Sequence, residues 1–207
     1  MTENEAKAAL GVPRETLDRV AAFLSLLGRS NERQNLVSRG TLREAWSRHI
    51  FDSAQLLRFA PSGGTWLDLG TGAGFPGLIV AALWEGRVTL VESRKLRVEF
   101  LRQGAEVLGV SGRVEVLCGR AETLPAQPFD VISARAFAPL DKLLRLGLPF
   151  STEKTVWVLP KGRNAQSELD AVRSSWQGAF RIEPSLTGAE AGIIVATGVK
   201  PKGKKGR

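Results

Sequence analysis

The stretch Thr65-Trp66-Leu67-Asp68-Leu69-Gly70-Thr71-Gly72-Ala73-Gly74-Phe75-Pro76-Gly77 constrains this chain more than any other. An apolar run ends at Asp68-Leu69 and gives way to alternating glycines. Pro76, a residue favoured at the first helical position, then opens a helix. Strand, glycine turn and helix N-terminus together make a cradle. Glycines tolerate positive φ and let backbone approach a ligand where a Cβ would clash. The free N–H groups of a helix start favour polar or anionic ligand groups.

Two cofactor classes fit this loop. Gly72, Gly74 and Gly77 satisfy the G-x-G-x-x-G dinucleotide pattern, with Glu92 at about the expected 20 residues further on. Gly70, Gly72 and Gly74 behind Asp68 read instead as D-x-G-x-G-x-G. That spacing resembles motif I of the class I S-adenosylmethionine methyltransferases. It is the preferred reading, because a carboxylate at the strand end suits an ammonium-bearing ligand better than a pyrophosphate.

From Thr65 onward short apolar runs alternate with helical periodicities, which predicts βαβ units and a mostly parallel α/β sheet. Strands are expected at 65–69, 87–92, 113–118, 128–134 and 154–159, and helices at 76–85, 94–109, 139–146 and 163–177. Two closing strands follow, around 179–183 and 191–197. Ahead of the sheet, Leu17, Val20, Ala21, Leu24 and Leu27 predict an amphipathic helix over 13–28, stopped by Gly28. A polar connector spans 29–40. Thr41 then opens a second helix, with Glu44 at capping-box spacing. The expected organisation is a helical extension over 1–60, a Rossmann-like domain over 61–199 and a basic tail over 200–207.

The net charge is +8, and Lys200, Lys202, Lys204, Lys205 and Arg207 supply five of these charges. Such a tail reads either as a disordered solubilising end or as a sequence-independent phosphate contact. No apolar run is long enough to cross a bilayer and the first residues are acidic, so cytoplasmic residence is expected. The single cysteine, Cys118, excludes an internal disulfide and is expected to be buried in a strand. With one histidine as well, no metal site is expected.

Candidate chemistry gathers at the carboxyl ends of the expected strands, where ligands of such sheets bind. Glu92 can accept both hydroxyls of a ribose, and Ser93 follows it. Arg120-Ala121-Glu122 stands where an adenine would lie. Arg135 after the fourth strand is costly to bury without a partner. Lys161 after the fifth, like Arg135, suits a phosphate or the acceptor edge of a base. A plain salt bridge is the competing account of each. His49, Asp52 and Ser53 share one helix face, and the residue types alone assign His49 no more than packing.

Taken together, these runs resemble the bacterial small-subunit ribosomal RNA guanine-N7 methyltransferases, also called glucose-inhibited division protein B. The matching runs are Asn35-Leu36, Arg48-His49-Ile50-Phe51-Asp52-Ser53, the Asp68-to-Gly77 loop and Val98-Glu99-Phe100-Leu101. They continue with Arg120-Ala121-Glu122, Phe129-Asp130-Val131-Ile132-Ser133, Arg135-Ala136-Phe137-Ala138 and Lys161-Gly162. The resemblance implies a class I fold with a seven-stranded sheet and a helical N-terminal extension. It implies S-adenosylmethionine held by Gly70, Phe75, Ala121, Glu122 and Arg135, with Glu92 on the ribose; Asp68, Thr71, Gly72, Gly74 and Ser93 complete the expected cofactor site. It also implies that His49, Asp52, Arg135 and Lys161 face 16S ribosomal RNA, or the small subunit, in a protein acting as a monomer. The chain departs from the family pattern at Ser30-Asn31, Val37 and Ala191-Gly192, where Trp-Asn, Thr and Arg-His are usual.

The absence of a catalytic dyad suits this chemistry. Guanine N7 carries an exposed lone pair, so attack on a methyl sulfonium needs positioning rather than a general base. Methylation of a small molecule or protein, and a dinucleotide-dependent oxidoreductase, are the alternatives.

Overall fold

The computed structural model describes residues 1–203. Seven strands form one sheet in the order β3-β2-β1-β4-β5-β7-β6. They are β1 (Thr65–Leu69), β2 (Arg87–Glu92), β3 (Val114–Cys118), β4 (Val131–Ser133), β5 (Val156–Lys161), β6 (Trp176–Pro184) and β7 (Gly192–Pro201). The first five run parallel, and β7 runs antiparallel to both β5 and β6. Strand order reverses between β1 and β4, which opens a crevice beyond their carboxyl ends.

Helices cover both faces. In chain order they are α1 (Glu3–Ala9), α2 (Arg14–Gln34), α3 (Arg39–Leu42), α4 (Asp52–Ala54), α5 (Gly77–Leu83), α6 (Lys95–Val107), α7 (Leu140–Gly147) and α8 (Ala165–Val172). β1 is buried on both sides, as a central parallel strand must be. Its alternation divides the core. Trp66 joins Phe23, Phe75, Leu78 and Phe100 on one face, and Leu67 and Leu69 join Leu143, Phe150 and Trp157 on the other. Phe23 of α2 lies between Phe75 and Phe100, with ring centroids 5.9 and 6.0 Å away, so the N-terminal helices and the sheet share one core.

The N-terminal segment differs most from expectation. α2 passes through Gly28 and ends at Asn35 in the left-handed region, φ 47°. Leu27 and Asn31 extend its buried face past the glycine, and Asn31 Oδ1 accepts from Val37 N at 2.8 Å. α1, unforeseen, begins in a Thr2–Glu5 capping box. Its Glu3 carboxylate accepts from the backbone N–H groups of Trp46 and Ser47 at 3.0 and 3.1 Å. Residues 39–59 form no single helix. Ser38, not Thr41, caps α3, a π-helical turn spans Trp46–Phe51, and a 3₁₀ turn at Gln55–Phe59 follows α4.

Elsewhere the differences are shorter. α8 ends at Val172 instead of 177, because Trp176 is drawn into the core and its indole N–H donates to Asp141 at 2.7 Å. Cys118 is exposed, since β3 is an edge strand. β7 extends to Pro201, so Lys200 belongs to the sheet and pairs with Glu153 at 3.2 Å. Lys204, Lys205 and Arg207, expected in a basic tail, lie outside the described residues. No helix among the described residues is long and apolar enough to cross a membrane.

Candidate active site

The glycine loop is bent by a buried carboxylate. Asp68 has no exposed surface, and its Oδ2 accepts from Gly77 N at 3.0 Å while Oδ1 accepts from Ser133 Oγ at 2.7 Å. Ser133 is held in turn by the Trp66 indole N–H at 2.8 Å. Burial pushes the Asp68 carboxyl up to about 6, against the pull of the Thr71 and Ser133 hydroxyls and Gly77 N. This corrects the expectation that Asp68 greets a ligand's ammonium. Both its oxygens are spent on shaping the loop from β1 to α5.

Gly70, Gly72 and Gly74 all have positive φ, at 67°, 60° and 88°. A Cβ on Gly70 would strike the Phe137 ring at 2.1 Å, and one on Gly77 would strike Leu90 at 2.2 Å. Gly72 is different: a Cβ there would meet nothing closer than Arg97 Nη1 at 3.8 Å. Its backbone therefore borders open space. The Thr71 hydroxyl beside it is buried and faces Asp68, whose carboxyl it pulls down.

Two clefts lie at this end of the sheet, and the glycine loop borders the smaller through Gly70. The smaller, about 390 Å³, is lined by Gly70, Glu92, Ser93, Ala121, Glu122 and the backbone around them. The Glu92 carboxylate accepts from Arg94 N at 2.9 Å and stands 3.7 Å from Arg97 Nη1. The larger, about 850 Å³, contains Arg48, Asp52, Arg135, Lys161, Ser185 and Thr187. Ala136, Phe137 and Ala138 line both and form their common wall.

Arg135 stands in the larger cleft. Its Nη1 donates to Asp52 Oδ2 and to the Arg48 carbonyl, each at 3.3 Å. Nη2 lies 3.3 Å from His49 Nδ1, and the guanidinium sits 5.2 Å from the Phe75 ring centroid. His49 stacks on Phe75 at 4.8 Å with a 14° interplanar angle. Burial, with Arg135 and Arg48 nearby, brings the His49 pKa down to about 4. The ring is therefore neutral near pH 7, with Nδ1 as the acceptor that Arg135 requires.

Arg135, His49 and Asp52 thus form one cluster, with Phe75 of the glycine loop packed against it. Lys161 does not reach it. Its Nζ donates to Glu168 at 2.8 Å and to the Ala138 carbonyl at 3.1 Å, which fastens the common wall to α8. Sequence reading missed Phe137 and Gln55. Gln55 is buried and bonded to Ser185 and Leu186, partners only the closed β6–β7 hairpin brings near.

The strand order, the reversed β7 and the glycine loop facing an acid at the end of β2 define the class I S-adenosylmethionine-dependent methyltransferase fold. The chain superposes on an O-methyltransferase from Bacillus cereus solved in complex with SAH, with TM-score 0.58, 19% identity, and 85% of this chain and 90% of that one covered. An RNA methyltransferase from Salinibacter ruber, solved with S-adenosyl-L-homocysteine, gives TM-score 0.57 at 19% identity, covering 74% and 94%.

Within that class the sequence is more specific. Residues 16–191 match the GidB family profile, rRNA small subunit methyltransferase G. The ribosomal RNA small subunit methyltransferase G of Rhizorhabdus wittichii is 53% identical, over all of this chain and 99% of the relative. That of Zymomonas mobilis is 50% identical over 99% and 98%. The chain belongs to the rRNA small subunit methyltransferase G family.

Proposed function

We propose that the chain transfers a methyl group from S-adenosylmethionine to N7 of a guanine in small-subunit ribosomal RNA, acting as a monomer in the cytoplasm. The observation that carries this reading is the pair of clefts meeting at one wall, Ala136–Ala138, with Glu92 on one side and Arg135 on the other. The smaller cleft suits the cofactor. Glu92 offers a carboxylate to ribose hydroxyls, and the Ala121-Glu122 backbone offers polar groups to a base. Gly72, where a Cβ would meet only open space, offers backbone to the ligand next to Gly70 of the cleft. When bound there, the sulfonium supplies an electrophilic methyl.

The residues of the larger cleft act by holding the acceptor. Guanine N7 needs no deprotonation, and the chain's groups fit that demand. Asp52 is paired, Glu168 is paired, and His49 is neutral with Nδ1 engaged. Arg135 can donate to the O6 edge or to a flanking phosphate. Arg48 at the cleft adds a second positive charge for RNA that enters as a splayed strand.

Methyl transfer from labelled S-adenosylmethionine to ribosomal RNA, free and in subunits, tests the proposal. Chain cleavage at N7-methylguanine then locates the product. Label confined to guanine N7 of the small-subunit RNA is expected. Label on another atom, or on protein alone, overturns the reading. Calorimetry should also give binding of S-adenosylhomocysteine and none of NAD.

A further inference from the structure

Gln55 is almost wholly buried, at 3% exposure, yet every polar atom of its amide is used. Nε2 donates to Asp52 Oδ1 at 2.9 Å and to Ser185 Oγ at 3.1 Å. Oε1 accepts from Leu186 N at 2.8 Å. Thr187 Oγ1 donates to the same Asp52 Oδ1 at 2.7 Å and lies 2.9 Å from Ser185 Oγ. One amide thus fastens the loop between β6 and β7 to the N-terminal helical segment. Ser185, Thr187 and Gly188 of that loop line the larger cleft, and the Leu186 side chain between them is half exposed. Asp52 divides its carboxylate, giving Oδ1 to Gln55 and Thr187 and Oδ2 to Arg135. The position of the loop and the aim of the Arg135 fork are therefore set by the same group.

We propose that Gln55 is a positioning residue for the RNA. It docks the 185–188 loop as a wall of the larger cleft and, through Asp52, fixes Arg135. This rests on the reading that RNA enters that cleft. An amide is required because the site needs a donor for two oxygens and an acceptor for one backbone N–H. A carboxylate at 55 would face Asp52, and an aliphatic side chain would leave Leu186 N without its acceptor.

The test compares wild type with Gln55→Ala, Gln55→Glu and Thr187→Val. In Gln55→Ala the Leu186 amide should exchange with solvent roughly tenfold faster and KM for ribosomal RNA should rise roughly tenfold. S-adenosylhomocysteine affinity should stay within about twofold, since the smaller cleft is untouched, and KM should rise by more than kcat falls. Gln55→Glu should keep the Leu186 amide protected and still raise KM, because it repels Asp52. Thr187→Val should raise KM in the same direction, and combining it with Gln55→Ala should add less than the sum of the two. Unchanged KM alongside faster exchange would overturn the proposal. So would a fall of kcat, cofactor affinity and melting temperature together, which marks a merely structural residue. Wild type that leaves ribosomal RNA unlabelled is a different failure, that of the proposed function, and shows before any variant is made. The exchange arm would then still decide whether Gln55 docks the loop.

Discussion

Arg135 Nη1 donates to Asp52 Oδ2 at 3.3 Å, joining the end of β4 to a helical segment 83 residues earlier in the chain. Both side chains keep about a fifth of their surface exposed, so the pair is screened on one side and open to the cleft on the other. The same guanidinium serves His49 Nδ1 and the Arg48 carbonyl, a fork that no other side chain supplies. Neither Asp130 nor Asp141 is its partner, because these acids hold Thr65 and Arg145.

Arg135→Ala should cut methyl transfer by a factor of 100 or more, on the order of 3 kcal/mol of positioning. The stability cost should be smaller, roughly 1–2 kcal/mol, because Asp52 keeps Thr187 and Gln55 as donors. Arg135→Lys should rescue poorly, since a point ammonium cannot satisfy Asp52 and His49 together. Activity lost only in proportion to melting temperature would assign the residue to structure alone.

Gly72→Val tests the cradle. The backbone there has φ 60°, so the substitution costs on the order of 1–2 kcal/mol, but its Cβ meets open space. The fold should survive by circular dichroism while S-adenosylhomocysteine binding is abolished in calorimetry. Gly70→Ala should be worse for stability despite the smaller side chain, because its Cβ meets the Phe137 ring. Near wild-type affinity in Gly72→Val would remove the loop from the cofactor site.

Glu92→Ala should weaken cofactor binding by roughly 1.5–3 kcal/mol, the usual loss for charge-assisted hydrogen bonds. Arg94 N loses its acceptor at the same time, so a slight destabilisation is expected as well. An unchanged dissociation constant would make Glu92 only the cap of its own turn and a partner of Arg97.

What could be read in the sequence follows from how local the causes are. β1 and β2 lie where the apolar runs put them, because strands buried on both faces need no distant information. The glycine loop was legible for the same reason. Asp68 was misread because its partners, Gly77 N and Ser133, are set by loop closure and by the neighbouring strand. Lys161 lines the larger cleft, as its place after β5 suggests, but its partner Glu168 was not legible because that residue turns back onto it from α8. Gln55 carried no signal at all, since its partners lie about 130 residues away. The π-helical turn at Trp46–Phe51 was likewise hidden, being held in part by Glu3 across the chain.

Two buried titrations of opposite sign lie within about one helical turn of the glycine loop, and they should be separable. His49 titrates near 4 in the folded chain against an ordinary 6.5, so the unfolded chain binds the extra proton between those values. Its contribution is intact above pH 6.5 and is lost as pH falls toward 4, by about 3 kcal/mol. Asp68 titrates near 6 against an ordinary 3.8, so here the folded chain holds the extra proton. Its contribution is present below pH 3.8 and is lost as pH rises through 6, again by about 3 kcal/mol. Over pH 4–6 the two nearly cancel in the wild type. Asp68→Asn keeps the shape and removes one slope, so its stability relative to wild type should improve as pH rises from 4 to 7. His49→Phe, which can still stack on Phe75, should improve relative to wild type as pH falls from 6.5 to 4. Urea melts at half-unit pH steps would show both difference curves. A flat or reversed curve for Asp68→Asn would mean that Ser133 and Gly77 N stabilise the charged carboxylate more than burial opposes it.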